Sequence, residues 1–525
     1  MRRLPFLRHS CPLFALAFAA ALPAIAAAAE QPRAGGVLRV AIDTDPQCLD
    51  PQQAGNNNSL NIGRQIVDSL TDQHPDTGEI VPWLATAWTL SPDSRSFTFT
   101  LRPGVTFSDG TPVDAAAVRA NFEGIVALGA RSTLGAGYLA GLQAIETPDP
   151  RTVVIRFAQP NVQFLQATST MSLGLLAPAT LAKSPEDRCQ GQLIGSGPFV
   201  VASFVHNQQA RITRRDGYAW PSALAAHAGP AYLDAIEYRV VPEAGVRSGS
   251  LLSGQIDVNT GVPPQDEAVL LGRNIPLLAR GNPGVVYTLY PNESVAPLSE
   301  PAVRRAINKA IDRPALRPIL SRFQAVATAP LARTTPLYSD LSPLLAHDPD
   351  GARALLDGAG WRVGPDGVRV RDGQRLSFRL DYWQFAPFLE LVQQQLRDVG
   401  IELRLNRTTI AQVTAIQTGG SFPVRFANLT RADPDILRAV FGVGERNMAL
   451  RQADATDDLL TRSSGTPDRA ARAELIRAAS IRLIEDGHSI PIVELATIIG
   501  TGRQVRGLHF EASSRLQFYD TWLAR

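Results

Sequence analysis

Residues 77–118 read TGEIVPWLATAWTLSPDSRSFTFTLRPGVTFSDGTPVDAAAV, and the reading of this stretch decides the fold. Phe97, Phe99 and Leu101 alternate with Thr98, Thr100 and Arg102, the period of a strand with one buried face. Asp109-Gly110 is turn chemistry, because glycine takes the positive φ that a tight turn demands. Asp114 stands where an N-cap belongs, ahead of the run Ala115 to Phe122. The block therefore predicts a turn, a short helix, a strand, a tight turn and a capped helix.

Its wording carries more than its periodicity. Gly78-Glu79, Pro82, Leu84-Ala85 and Trp88, followed by Leu101-Arg102, Gly104-Val105, Phe107 and Asp109-Gly110-Thr111-Pro112, resemble the signature of family 5 extracytoplasmic solute-binding proteins. These are the dipeptide, oligopeptide and nickel-type receptors of ABC importers. Ser108 stands where the family usually has His, and Ala116-Ala117 replace a usual acidic pair. Later landmarks match in order: Gly195 to Phe199, Ser253 to Asp257, Arg304 to Arg313, Ala359 to Trp361 and Asp433-Pro434-Asp435. The resemblance implies a two-lobed α/β binding protein of type II, cluster C, with an extra subdomain in the first lobe. Lobe I is expected over 30–281 with the insertion at 72–191, lobe II over 282–489, and a C-terminal return to lobe I over 490–525.

Residues 1–29 read as an export signal: Arg2, Arg3 and Arg8 precede the apolar run Pro12 to Leu22, and small residues lead to Glu30. That core falls short of the ~20 residues a membrane span needs. Cys11 lies before it, so no acyl anchor is expected, and the mature protein is placed in the periplasm. Cleavage would remove three arginines and no acid, turning the net charge from +2 to −1. Such a surface offers no footprint for nucleic acid. About 495 remaining residues exceed one core, so two or more lobes are expected. Cys48 and Cys189 remain in a disulfide-permitting compartment, either bridged or as two buried thiols.

Outward from the block, Gly36 to Ile42 reads as an opening strand and residues 57–70 as a helix. Pro301 and Asp348-Pro349 open helices. Residues 376–405 form a strand, a helix and a strand. Leu376, Phe378 and Leu380 alternate, Phe388, Leu391, Val392, Leu396 and Val399 share a helix face, and Ile401, Leu403 and Leu405 alternate again. That βαβ unit implies a parallel pair.

Catalytic motifs are absent. The two lysines, Lys183 and Lys309, follow no phosphate-loop frame, and HExxH, CxxC and GxSxG do not occur. The seven histidines show no i, i+4 pair. No cofactor or metal is expected. Asp433 and Asp435 could flank a bond as an acid pair, but Asp433 before Pro434 and an apolar-periodic run reads better as an N-cap.

In an open α/β sheet ligands sit beyond the carboxyl ends of strands. That places Gln47 (in Asp45 to Asp50), Tyr382 and Trp383, and the segment Asn428 to Asp433 at a cleft. Trp383 is either core or pocket wall. Arg431 offers a fork for a carboxylate, or else is solvated or paired with Asp433 or Asp435. By the resemblance, dipeptide-type members carry an acid where this chain has Thr430. Nickel-type members carry an Arg near Thr168 to Leu173, where Met171 stands. The expected ligand is peptide-like or another small organic molecule bearing a carboxylate. The expected partners are an inner-membrane ABC permease and its ATPase, with the receptor monomeric. Sensing by the same fold and reception of a nickel complex are the alternatives.

Overall fold

The computed structural model describes residues 1, 30–132, 134–384 and 386–524. The expected export signal and Cys11 lie outside the described residues. Two large sheets organise the chain. The first has seven strands in the order Leu277–Gly281, Ala496–Thr501, Val258–Asn259, Val37–Ile42, Ala235–Val240, Gln209–Arg214, Phe199–Val205. The opening strand Val37–Ile42 sits inside it, parallel to both of its neighbours. The second sheet runs Ala325–Val326, Ile490–Glu494, Gly284–Pro291, Val424–Thr430, Ser377–Tyr382, Glu402–Arg407. Each sheet packs its own apolar core. This is a two-lobed α/β binding-protein fold.

The βαβ unit forms as its periodicity requires. Ser377–Tyr382 pairs in parallel with Glu402–Arg407, with Phe378 opposite Leu403 and Leu380 opposite Leu405. The helix Phe388–Asp398 buries Phe388, Leu389, Val392 and Leu396 between them.

The block 77–118 differs from its reading at one point. Ala85–Leu90 is a strand, not a short helix, and pairs antiparallel with Ser96–Leu101 across the turn at Ser91 to Ser94. The cross-strand pairs Trp88–Phe99 and Leu90–Phe97 outweigh the helical propensity of Leu84-Ala85. Strands Thr152–Phe157 and Leu142–Asp149 complete a four-stranded sheet. The Asp109-Gly110 turn closes with Phe107 N–H to Thr111 O at 2.8 Å. Asp114 Oδ1 accepts from Ala117 N–H at 2.9 Å, capping the helix Ala115–Leu128.

The helix expected over 57–70 stops at Ile66, where Val67 turns extended. The glycines of the Gly195 to Phe199 landmark explain the stop. A Cβ on Gly195 would lie 2.1 Å from Ile66 O, and one on Gly197 2.6 Å from Ile66 C. Only glycine lets that segment run against the helix end, where Gly197 N–H donates to Ile66 O at 2.9 Å.

The chain crosses between lobes twice, at Asn282-Pro283 and at Leu495. Ile490–Glu494, expected with the returning segment, instead pairs with Gly284–Pro291 in the second sheet. Its isoleucines and valine are fully buried there, so the return begins only at Ala496. The two crossings are bonded to each other. Asn282 N–H donates to Leu495 O at 2.9 Å and Thr497 Oγ1 to Asn282 Oδ1 at 2.8 Å. Two short connections tied side by side have the form of a hinge.

Candidate functional site

Beyond the carboxyl end of Val424–Thr430, the second lobe faces the first across a cavity of about 910 Å³. Asn428, Thr430 and Arg431 line it, as do Arg438, Glu445 and Arg446. The first lobe contributes Asn57, Arg95, Tyr138, Asn161 and Gln163, and the C-terminal segment adds Arg515. That volume lies in the range of small-molecule pockets.

The backbone sets Arg431. Gly284 opens the strand opposite Thr430 with φ +109°, and a Cβ there would stand 2.2 Å from Leu429 O and 2.7 Å from Arg431 N. This approach lets Arg431 N–H donate to Pro283 O at 3.1 Å, so the residue is anchored to the hinge itself. Its guanidinium lies 4.8 Å from the ring centroid of Tyr138 and its Nη1 donates to Gln163 Oε1 at 2.9 Å. Of the alternatives for Arg431, the pairing with Asp433 or Asp435 does not form. Both acids are taken: Asp433 by Arg472 at 2.7 and 3.0 Å, Asp435 by Arg438 at 2.9 and 3.0 Å.

Asp433 is therefore not the N-cap of the following helix. That helix spans Ile436–Phe441, with Asp435 at the cap position and no side-chain bond to a free N–H. Asp433 Oδ1 accepts from Asp435 N–H at 2.8 Å, a turn bond two residues on, because the Arg472 guanidinium holds the carboxylate there. Asp433 is buried behind the cavity wall rather than in it.

Charge accumulates in the cleft with one sign. Arg95, Arg431, Arg446 and Arg515 have no carboxylate within ion-pair distance among the described residues, while the one acid of the lining, Glu445, is held by Arg438. Among the described residues Arg515 Nε is buried without an acceptor, and its Nη2 reaches Asn57 Oδ1 only at 3.5 Å. Desolvation and then the Arg431 charge push the Arg446 guanidinium below its ordinary value. Asn57 opens the helix Asn57–Ile66, whose positive N-terminal end meets the same space. The electrostatics of that surface favour a negative over a positive charge.

Other sequence candidates lie elsewhere. Gln47 is exposed with φ 62°, its N–H on Asp45 Oδ1 at 2.5 Å. Met171 is buried in the first core. Tyr382 packs in the second core, and Trp383 is 44% exposed, neither core nor lining of this cavity. Cys48 and Cys189 are joined, with sulfurs 1.96 Å apart. Beside them Arg188 pairs with the fully buried Asp50 at 2.7 Å, so the loop after the opening strand is fixed twice.

Lobe-to-lobe contacts flank the cavity. Val162 N–H donates to Ser464 O at 2.9 Å, and Gln73 Nε2 to Ala432 O at 3.0 Å. Two lobes on a tied hinge around a charged cleft define a solute-binding protein that closes on its ligand. The family model for bacterial extracellular solute-binding proteins, family 5, matches residues 79–441, and the chain belongs to that family. It is 25% identical to the glutathione-binding protein GsiB of Escherichia coli O1:K1 / APEC, covering 98% of each chain. It is 28% identical to the nickel-binding periplasmic protein of Escherichia coli K12, over 84% of this chain and 86% of that one. Among solved structures, NikA from Brucella suis in complex with Fe(III)-EDTA superposes with a TM-score of 0.80 at 25% identity, over 93% of this chain and all of that one. No helix among the described residues is long and apolar enough to cross a membrane.

Proposed function

We propose that this protein is the periplasmic receptor of an ABC importer for a small organic anion. The ligand is peptide-like or otherwise carboxylate-bearing. One observation carries the reading: four guanidiniums without carboxylate partners among the described residues surround a cavity of about 910 Å³ between hinged lobes. A ligand bridging Arg431 on one wall and Arg95 or Arg515 on the other stabilises the closed form by its differential affinity. The closed form is what the permease receives. Thr430 offers no charge for a ligand ammonium, so recognition rests on the anionic end. The receptor works as a monomer, is exported through a cleaved leader without an acyl anchor, and returns its ligand unaltered.

Mass spectrometry of the small molecule that co-purifies from the native host tests this. An anion that rebinds one-to-one, with affinity falling as salt rises, supports the reading. A cationic or uncharged ligand, or a ligand released in altered form, overturns it.

A further inference from the structure

The arginines of the interlobe cavity divide evenly between the two walls that close on one another. Arg431 and Arg446 belong to the second lobe, where Arg446 N–H donates to Ala439 O at 3.3 Å behind the helix Ile436–Phe441. Arg95 and Arg515 belong to the first. Arg95 precedes the strand Ser96–Leu101 and is exposed, so water screens it. Arg515 is 9% exposed and is set against the helix Asn57–Ile66, because the next residue, Leu516, donates its N–H to Asn61 Oδ1 at 2.9 Å. A smaller cavity of about 260 Å³ shares Asn57 and Arg515 with the larger one. Arg515 therefore stands where the two cavities meet, at one end of the larger.

The partners these groups have do not discharge them. Arg431 bonds to Gln163 Oε1 and Arg515 Nη2 lies 3.5 Å from Asn57 Oδ1, and both acceptors are neutral amides. Glu445 is spent on Arg438. The charge of Arg431 works against that of Arg446 within the same wall. Closing the lobes brings the first wall's charge toward both in a space that holds less water, where charge–charge energies grow. A single carboxylate answers one wall and leaves the other's charge uncompensated. Two carboxylates, one at each wall, answer both.

We propose that the ligand is a dicarboxylate with its two groups set apart, one held by Arg431 and Arg446 on the second lobe and the other by Arg515 on the first. The inference rests on the anionic reading of the cleft and goes past it by fixing the number and placing of the charges. The N-terminal end of Asn57–Ile66 adds its dipole at the Arg515 end. Each lobe then grips one end of the same molecule, and the second charge is what favours closure.

Calorimetric titration of the full mature protein, dialysed free of co-purified ligand, tests this with α,ω-dicarboxylates from succinate to suberate. The monomethyl ester of each removes one charge, and inorganic phosphate serves as a compact dianion. At least one diacid should bind one-to-one and about ten- to hundredfold tighter than its own monoester, as when hydrogen bonds to a charged group are gained. Arg515→Gln and Arg446→Gln, one on each lobe, should each bring that ratio toward one. Melting curves accompany both variants; should one fail to fold, the other decides. A diacid no tighter than its monoester, or no tighter than phosphate, overturns the two-ended ligand and leaves the anionic reading standing. No diacid binding at millimolar concentration overturns it as well. The co-purified molecule then judges the anionic reading separately: a monocarboxylate keeps it, and a cation or an uncharged molecule ends both.

Discussion

The guanidinium of Arg431, carried by the second lobe, lies 4.8 Å from the ring centroid of Tyr138 in the first and donates to Gln163 Oε1 at 2.9 Å. One side chain thus spans the cleft, with the rest of its fork available. Arginine suits that task because it stacks and bonds in one plane. Arg431→Ala is expected to weaken binding of the co-purified ligand by about 2–5 kcal/mol. Arg431→Lys should recover only part, since an ammonium is a point charge without the fork. Calorimetry with the extracted ligand measures both. An unchanged Kd in Arg431→Ala would remove the residue from the site.

The fold was legible where a short-range rule governs and obscure where tertiary pairing does. Period two in Phe97 to Leu101 and the helix face of Phe388 to Leu396 needed no partner to be read. Ala85–Leu90 did: its strand character comes from Ser96–Leu101 across the turn. Arg431 could be singled out because it follows a strand. Tyr138, Gln163, Arg95, Arg446 and Arg515 could not, since each comes from a different element and converges only through the hinge. Tyr382 and Trp383 sit at a strand end as the topological rule asks, but the strand Ser377–Tyr382 stands one place further from the hinge than Val424–Thr430.

The buried pair Asp433–Arg472 is a stability element rather than catalytic machinery. The carboxylate takes two bonds from the guanidinium and one from Asp435 N–H, which spends its acceptor capacity. Asp433→Ala should cost about 3–5 kcal/mol, as when one member of a buried pair is left alone. Asp433→Asn should cost less, because its amide oxygen still accepts from Asp435. Urea unfolding at neutral pH gives both values. A loss below about 1 kcal/mol would mean the pair behaves as a surface ion pair.

The bridge Cys48–Cys189 closes a loop across a sequence separation of 141. Chain entropy alone assigns such a loop up to ~5 kcal/mol. The ion pair Arg188–Asp50 at 2.7 Å holds the same junction without the bond, so reduction should cost about 2–5 kcal/mol and leave the native fold. Denatured, unreduced mature protein should titrate no free thiol. Two thiols would show that the bridge is not formed, and an unchanged unfolding free energy under reductant would show that it adds nothing.

Asp68 gives the first lobe a pH dependence with a definite sign. The carboxyl is buried with Trp220 Nε1 donating to it at 3.0 Å and Tyr218 OH at 3.2 Å, yet burial pushes it up from 3.8 to about 8. Those bonds and the charges of Arg64 and Arg215 pull the other way and do not win. Between 3.8 and about 8 the folded protein therefore holds a proton that the unfolded chain has released. Stability from this group is full below the unfolded value and is lost as pH rises through the folded one, by up to about 1.4 kcal/mol per unit. Asp68→Asn cannot titrate, so the difference in unfolding free energy between wild type and variant should slope across neutral pH in that sense. Urea unfolding at several pH values measures it. Parallel curves, or a wild type that gains stability relative to Asp68→Asn as pH rises, would mean the carboxylate is ionised in the fold and that Trp220, Tyr218 and the two arginines outweigh its burial.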